Sequence, residues 1–310
     1  MFGERPLADA VRVARAIATN QIARFMPAAY VDMTGETGRG RDRMDSADIA
    51  SYHLRCFDDY LDQLGLDQVS ARAVLAGRRV LEYGPGDVPG VAMLFVAHGA
   101  ASVTCVDRFP LARGGELAAQ VLARLLDGLP EDARSRAAAC FRRPGDTHSG
   151  FAPERIRYLV RPSGLLNERA SMDLIVSRAV LEHVNDLDAT FRDMRAALAP
   201  DGIAVHLVDL KSHGLHRRNP LDFLTWPEWL WSLMYSHKGM PNRKRPMAYR
   251  DAARAAGLEI TAMTPTGLAR AQDLIEVRPR LAAGLRDLPD DELAWLGFWL
   301  HCRPAAVRGA

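Results

Sequence analysis

The sequence predicts an α/β fold in which a mainly parallel sheet is wound with helices on both faces. Three observations lead there. From residue 78 onward, short apolar runs alternate with stretches of helical periodicity. Most of the joins between them are brief, as in βαβ units. The first apolar run, "RVLEY", also ends in the glycine-rich turn "GPGD", and an apolar helix-like run follows it. Bulk composition agrees: 310 residues, 48% hydrophobic and 25% charged, are ordinary for a soluble globular chain of one large or two small domains.

The elements follow in order. "LADAVRVARAIATNQIARF" puts Leu7, Val11, Ala14, Ile17, Ile22 and Phe25 near helical spacing, so a first helix with one apolar face is expected. Arg12, Arg15 and Arg24 interrupt it, which argues against a signal peptide's core and for a face that packs on protein rather than lipid. "YVDMTGETGRGRDRMDS" reads as a loop, and a second helix is expected over about 46–65. Then come strand "RVLEY", helix "VPGVAMLFVAHG", strand "SVTCVD" and helix "LARGGELAAQVLARLL". Residues 129–154 read as a surface excursion before strands "RIRYLV" and "MDLIVS". Helix "DLDATFRDMRAALAP", strand "GIAVHLVDL", helix "MAYRDAARAAG" and the runs "LEITAMTP" and "AWLGFWLHCRP" complete the pattern, the last two expected to pair.

Charge and cysteine usage exclude several classes. Forty bases against 38 acids leave a net +2 with no long basic block, so nucleic acid is not an expected partner. No run is long enough for a membrane span, so no stable membrane insertion is expected. The four cysteines, Cys56, Cys105, Cys140 and Cys302, lie far apart without zinc-like spacing, which suits a reducing, cytoplasmic setting.

The turn after "RVLEY" is the first candidate site. Gly84 and Gly86 carry no side chains, so a ligand can approach backbone N–H groups at the head of the next helix. Asp107 ends the next strand 21 residues after Gly86, where wound sheets place an acid that accepts ribose hydroxyls. A nucleoside-containing cofactor follows from the pair. The dinucleotide fingerprint is imperfect, because Pro89 stands at the third glycine and Gly90 comes one residue late. Glu82 beside the turn would repel a pyrophosphate but suits an ammonium or sulfonium group. A tight turn without any ligand is the bland alternative.

Taken as a set, "EYGPGD", "CVD", "DLIVSRAVLEHV", "LAPDGIAVHLVDL" and the paired terminal runs resemble a class I S-adenosylmethionine-dependent methyltransferase over residues 78–303. The resemblance implies a Rossmann-like doubly wound seven-stranded sheet with its last strand antiparallel, and S-adenosyl-L-methionine as cofactor. It divides the chain into N-terminal helices and a lid, residues 1–77, and a methyltransferase domain, residues 78–310, with a helical cap insertion at 211–245. Glu82, Gly84 and Gly86 then lie beneath the methionine moiety, Asp107 at the ribose and Arg108 along the adenine. The acid that usually meets the adenine amino group is missing from "VRPSGLL", leaving Ser163 as the candidate there. Ser177 and Arg178 match positions lining the methyl-transfer site. "HLVDLKSHG", "NPLDFLTWPEWLW" and "NRKR" are further similar to bacterial methyltransferases linked to cell-surface glycans or secondary metabolites.

Chemistry on the acceptor needs positioning, exclusion of water and, for a hydroxyl, a proton acceptor. Five of nine histidines lie between residues 183 and 237. His213 is the expected base, oriented by Asp209 four residues earlier, with His183 as a further catalytic candidate; Glu182 and His183 also read as a structural helix start. His206 and Asp209 fall on opposite faces of a strand. Ubiquinone-type O-methyltransferases carry acids around a similar "LEH", but Ala179 occupies the place of the first, so no metal is expected. In the cap, Trp226 and Tyr235 are expected to enclose a small-molecule acceptor, and Arg243 and Arg245 to pair with its phosphate or carboxylate. Residues 30–53, with Tyr52 and His53, are expected as a lid. The expected function is methyl transfer to oxygen or nitrogen of a small molecule; the alternatives are a non-catalytic cofactor-binding partner and a nicotinamide-dependent oxidoreductase.

Overall fold

Alternating apolar and helix-periodic segments do become alternating strands and helices in the computed structural model of this chain, which describes residues 6–39, 44–169, 171–216 and 218–306. Parts of the expected glycine-rich loop (40–43) and cap (217) lie outside the described residues, as do the two chain ends. Four helices come first: α1 (Pro6–Phe25), α2 (Pro27–Thr34), α3 (Ser46–Gln63) and α4 (Gln68–Leu75). The strand-and-helix series follows as β1 (Arg79–Tyr83), α5 (Gly90–Ala97), β2 (Ser102–Asp107), α6 (Glu116–Asp127), α7 (Glu131–Ala138), β3 (Ile156–Val160), β4 (Met172–Arg178), α8 (Leu187–Ala197) and β5 (Leu198–Asp209). The chain continues through α9 (Glu228–Tyr235), α10 (Pro246–Ala255), β6 (Leu258–Leu268), α11 (Ala271–Val277), α12 (Asp290–Ala294) and β7 (Trp295–Pro304).

The strands form one seven-stranded sheet in the order β3-β2-β1-β4-β5-β7-β6, with the last strand antiparallel. This is the Rossmann-like doubly wound sheet that the sequence implied. β1 lies parallel to both β2 and β4, so the strand order reverses beside it; Glu82 registers with Cys105 on one side and Val176 on the other. Open sheets bind ligands at the carboxyl ends of strands flanking such a reversal.

Contacts group the chain into two compact units that interleave along the sequence. One comprises residues 35–178, 192–205 and 303–310. Its centre is α5, all eight of whose residues are buried, as a helix apolar on every side must be. α5 packs with α3, α7 and β2. Asp45 caps α3 by accepting from the Ala47 and Asp48 amides, while the Asp48 side chain returns to the Asp45 amide. The 129–154 excursion holds α7 and a Phe141–Phe151 bridge with stacked rings 5.2 Å apart.

The other unit comprises residues 1–34, 179–191 and 206–302. There α1 packs on α2 and α9, and Phe223, Trp231, Met234 and Tyr235 share a core with Leu274, Val277 and Leu293. No helix among the described residues is long and apolar enough to cross a membrane.

Candidate functional site

The turn after β1 is bare because its backbone demands it. Gly84 and Gly86 have φ of +67° and +75°, left-handed values that a side chain disfavours. The Gly84 amide donates to the Val106 carbonyl at 2.8 Å, fixing the turn against the end of β2. A β-carbon on Gly86 would stand 2.8 Å from the Thr37 carbonyl, and one on Gly38 would stand 3.0 Å from the Gly86 α-carbon. Residues 37–39 therefore lie directly on the turn. The Asp87 amide donates to Thr37 at 3.0 Å, and Arg39 pairs with the Asp87 carboxylate, one nitrogen at 3.0 Å. Residues 37–39, within the stretch expected as a lid, thus rest on the glycines themselves.

Two acids face this turn from neighbouring strands. Glu82 is 6% exposed; burial pushes its carboxyl up to about 8, against a smaller downward pull from the Cys105 thiol, which donates at 3.7 Å. Burial likewise raises Asp107 to about 6, opposed by backbone amides of Phe109, Arg108 and Gly86. One Asp107 oxygen accepts from Phe109 at 3.2 Å, while Oδ2 is buried with no hydrogen-bond partner among the described residues. A buried acceptor left open is costly unless a ligand's donor fills it. Arg108 is half-buried with its guanidinium 5.7 Å from the Phe109 ring centre.

A wall that the sequence only partly announced completes the enclosure. Tyr52, His53, Cys56 and Tyr60 of α3 share a cavity with Arg39, Glu82, Gly84, Gly86, Val91 and Arg178, its free volume about 30 Å³. With residues 37–39 seated on the turn, that is room for a water or two and not for a nucleoside. Helical spacing in α3 carried the missed signal, since residues 52, 53, 56 and 60 fall on one face. Asp59 adds an ion pair, 2.6 Å from Arg178. His53 packs so close that a β-carbon on Gly90 would stand 2.7 Å from its ring; burial lowers its imidazole to about 3, and neither nitrogen has a hydrogen-bond partner. Ser177 is fully buried within β4, opposite Tyr83.

Ser163 is exposed in the turn after β3, its hydroxyl accepting from the Leu165 amide at 3.3 Å. It does not line the cavity beside the glycine turn. The side chain that organises this stretch is Asp193 of α8, which accepts from the Tyr83 hydroxyl and the Leu166 and Asn167 amides, each at 2.7 Å.

In the other unit, topology gathers an acid and two histidines. Leu181–His183 is a single 3-10 turn held by Asn242, whose amide donates to the Glu182 carbonyl at 2.6 Å and whose side chain donates to Leu181 and Val184 at 2.9 and 3.0 Å. Glu182 Oε1 lies 3.6 Å from His183 Nε2 and 4.0 Å from His213 Nε2. Asp209 Oδ2 is 3.9 Å from His213 Nε2, and the two imidazoles meet edge to face with centres 4.8 Å apart. His213 and Ala179 have φ of +50° and +53°, a strained region for residues with side chains. Burial drives the Glu182 carboxyl well above its usual range, and the Asp209 charge adds to the shift. Thus His213, Asp209 and His183 do come together, with Glu182 at the centre. His206 instead sits inside β5, wholly buried and held neutral, its imidazole lowered to about 3 by burial.

The residues expected to hold the acceptor have other occupations. Arg243 is 4% exposed, donates to the Trp226 carbonyl, pairs with Glu228 and lies 4.8 Å from the Trp231 ring centre. Arg245, at 2%, donates to the carbonyls of Glu292, Leu293 and Trp295. Both expectations of anion binding are corrected on that ground: the guanidinium groups tie the fold together. Tyr235 is a buried member of the aromatic core, and the partly buried Trp226 packs against that core.

Comparison with known proteins adds to this geometry. A family model described as a methyltransferase domain matches residues 51–263. No curated protein matches. Similar solved structures include an S-adenosylmethionine dependent methyltransferase from Mesorhizobium loti, 19% identical, covering 76% of this chain and 95% of its own, with a TM-score of 0.40. They also include the [4+2]-cyclase SpnF, 15% identical over 87% of each chain at 0.45. A TehB-like SAM-dependent methyltransferase from Corynebacterium glutamicum is 14% identical over 82% of this chain and 97% of its own at 0.36.

Proposed function

This chain belongs to the methyltransferase-domain family, and from that premise we propose that it methylates an oxygen or nitrogen of a small molecule, a glycan or secondary-metabolite acceptor. Its cofactor is S-adenosylmethionine. The observation that carries the reading is the pairing of Asp107, with one buried oxygen open, and the side-chain-free Gly84–Gly86 turn beside Glu82.

The residues fit that cofactor. Asp107 Oδ2 would accept a sugar hydroxyl, the bare turn would admit close approach of the methionine portion, and Glu82, once ionised, would balance its positive charge. When bound, the cofactor supplies an electrophilic methyl group on a cationic sulfur. Tyr52, His53 and Tyr60 exclude water from the cradle, which strengthens every charge interaction inside it. On the acceptor's side the reading gives His213 the proton, with Asp209 orienting the ring and His183 beside it.

Calorimetry with S-adenosylmethionine, S-adenosylhomocysteine and NADPH tests the reading. The first two bind and NADPH does not; binding of NADPH alone would overturn it. Labelled methyl transfer into acceptor extracts separates an enzyme from a binding-only partner, which would bind the cofactor and consume none.

A further inference from the structure

We propose that Glu182, His183 and His213 form a binding site for one divalent metal ion, with Asp209 as a fourth donor. This departs from the expectation drawn from sequence, where Ala179 in place of an acid spoke against a metal. The cluster needs no acid at 179, because residue 213 supplies the third donor from a loop thirty positions away.

Four features carry the inference. The donor atoms of the three side chains all lie within 4.8 Å of one another, and the shortest separations are 3.6 and 4.0 Å. Those distances are too long for hydrogen bonds, yet only slightly longer than the roughly 3.0–3.5 Å between ligands that share an ion at about 2.0–2.2 Å. Glu182 is the second feature: its side chain is 1% exposed, and neither oxygen has a hydrogen-bond partner among the described residues. Burial disfavours the charged form of this group unless a cation compensates it, and among the described residues the basic side-chain nitrogens that approach it within 4 Å are those of the two imidazoles. Third, the backbone is held for the purpose: Asn242 clamps the Leu181–Val184 turn by three hydrogen bonds, and His213 is kept at positive φ. Last, Asp209 adds a second carboxylate 3.9 Å from His213 Nε2, its other oxygen engaged by the Lys211 amide at 3.0 Å.

The donor set decides the kind of ion. Two imidazoles and one or two carboxylates suit zinc, iron(II), cobalt(II) or manganese(II). Calcium and magnesium, which favour all-oxygen shells, are excluded as preferred occupants. His183 and His213 are partly exposed, at 23% and 28% of their side chains, so coordination positions remain open on that side. There the ion would hold an acceptor hydroxyl and lower its pKa so that the proton passes to solvent, a role that would replace the proton acceptance given to His213 in the metal-free reading; this consequence alone rests on the methyl-transfer reading, and the site itself does not.

The test uses tag-free full-length protein, stripped with chelator and titrated with zinc and cobalt chloride. The proposal expects one ion per chain and, with cobalt, visible d–d absorption characteristic of histidine ligation. Glu182→Gln, His183→Gln and His213→Gln should each weaken binding at least tenfold, while His216→Gln, whose imidazole pairs with Ser212, should leave it unchanged. Circular dichroism melts check that each variant folds; should Glu182→Gln fail, the partly exposed His213→Gln decides. No stoichiometric binding, or full affinity in folded His183→Gln and His213→Gln, overturns the proposal. S-adenosylhomocysteine binding on the same samples separates the two claims: cofactor without metal sinks the metal site alone, and metal without cofactor sinks the methyl-transfer reading alone.

Discussion

Cofactor binding should release a proton, and Glu82 is its source. In the free protein burial raises this carboxyl to about 8, so at pH 7 about ten molecules are protonated for each one ionised. A cationic ligand in the turn requires the ionised form. Ionising it at pH 7 costs about 1.4 kcal/mol, a tenfold loss of affinity relative to pH 9 and above. The dissociation constant should therefore fall about ninefold from pH 6 to 7 and about fivefold from pH 7 to 8, and then level off. At pH 7 about 0.9 proton per site should appear in calorimetry run in buffers of different ionisation enthalpy. The ligand's own amino group also titrates near this range, so the measured quantity is the difference between wild type and Glu82→Gln. Equal proton release in the two proteins, or a wild-type affinity flat from pH 6 to 9, would refute the argument.

Other consequences follow from neighbouring residues. Glu82 is raised in the folded state, so the ligand-free protein holds an extra proton between about pH 4.3 and 8 and loses stability as pH rises through that window; Glu82→Gln should raise the thermal midpoint at pH 8 more than at pH 5. Gly86→Ala adds about 1–2 kcal/mol of left-handed strain and puts a methyl group on the bare turn proposed to receive the cofactor, so cofactor affinity should fall by at least tenfold in calorimetry. Asp193→Ala strips partners from the Tyr83 hydroxyl and the Leu166 and Asn167 amides and should lose about 3–5 kcal/mol in urea unfolding, against about 1 kcal/mol for Tyr83→Phe. Arg245→Ala should lower the thermal midpoint and leave the KM for acceptor unchanged in the folded fraction, since its guanidinium is held by main-chain carbonyls.

Legibility in the sequence followed the physics of each element. β1 and β2 were read to the residue, because each is an apolar run stopped by a glycine turn or an acid. β5 begins at Leu198, four residues before the expected start, within "LAPDG" that read as a helix end; pairing with neighbours overrides the local signal of Pro200 and Gly202. Glu82, Gly84, Gly86 and Asp107 were legible because one strand end and its turn specify them locally. The cap was misread for the opposite reason: aromatic residues at 226 and 235 look alike whether they line a pocket or fill a core, and only the packing of α1, α9 and α11 decides. Arg243 and Arg245 read as anion-binding groups, yet a tryptophan face and buried carbonyls take them in, while Lys244 between them stays exposed. Glu182 and His183 were legible together in "LEH", but Ala179 spoke against a metal there; the part of His213 had no local signature, since it joins them only once residues thirty apart are brought together.

The central claim is that the Gly84–Gly86 turn and Asp107 receive the cofactor. A crystal structure of the protein with S-adenosylhomocysteine measures this most directly. The account predicts the ribose hydroxyls on Asp107 Oδ2, the amino-acid end against the glycines, and residues 37–39 lifted from their seat. Ligand density elsewhere, with Thr37 still donated to by Asp87 and Asp107 Oδ2 still without a partner, would contradict it.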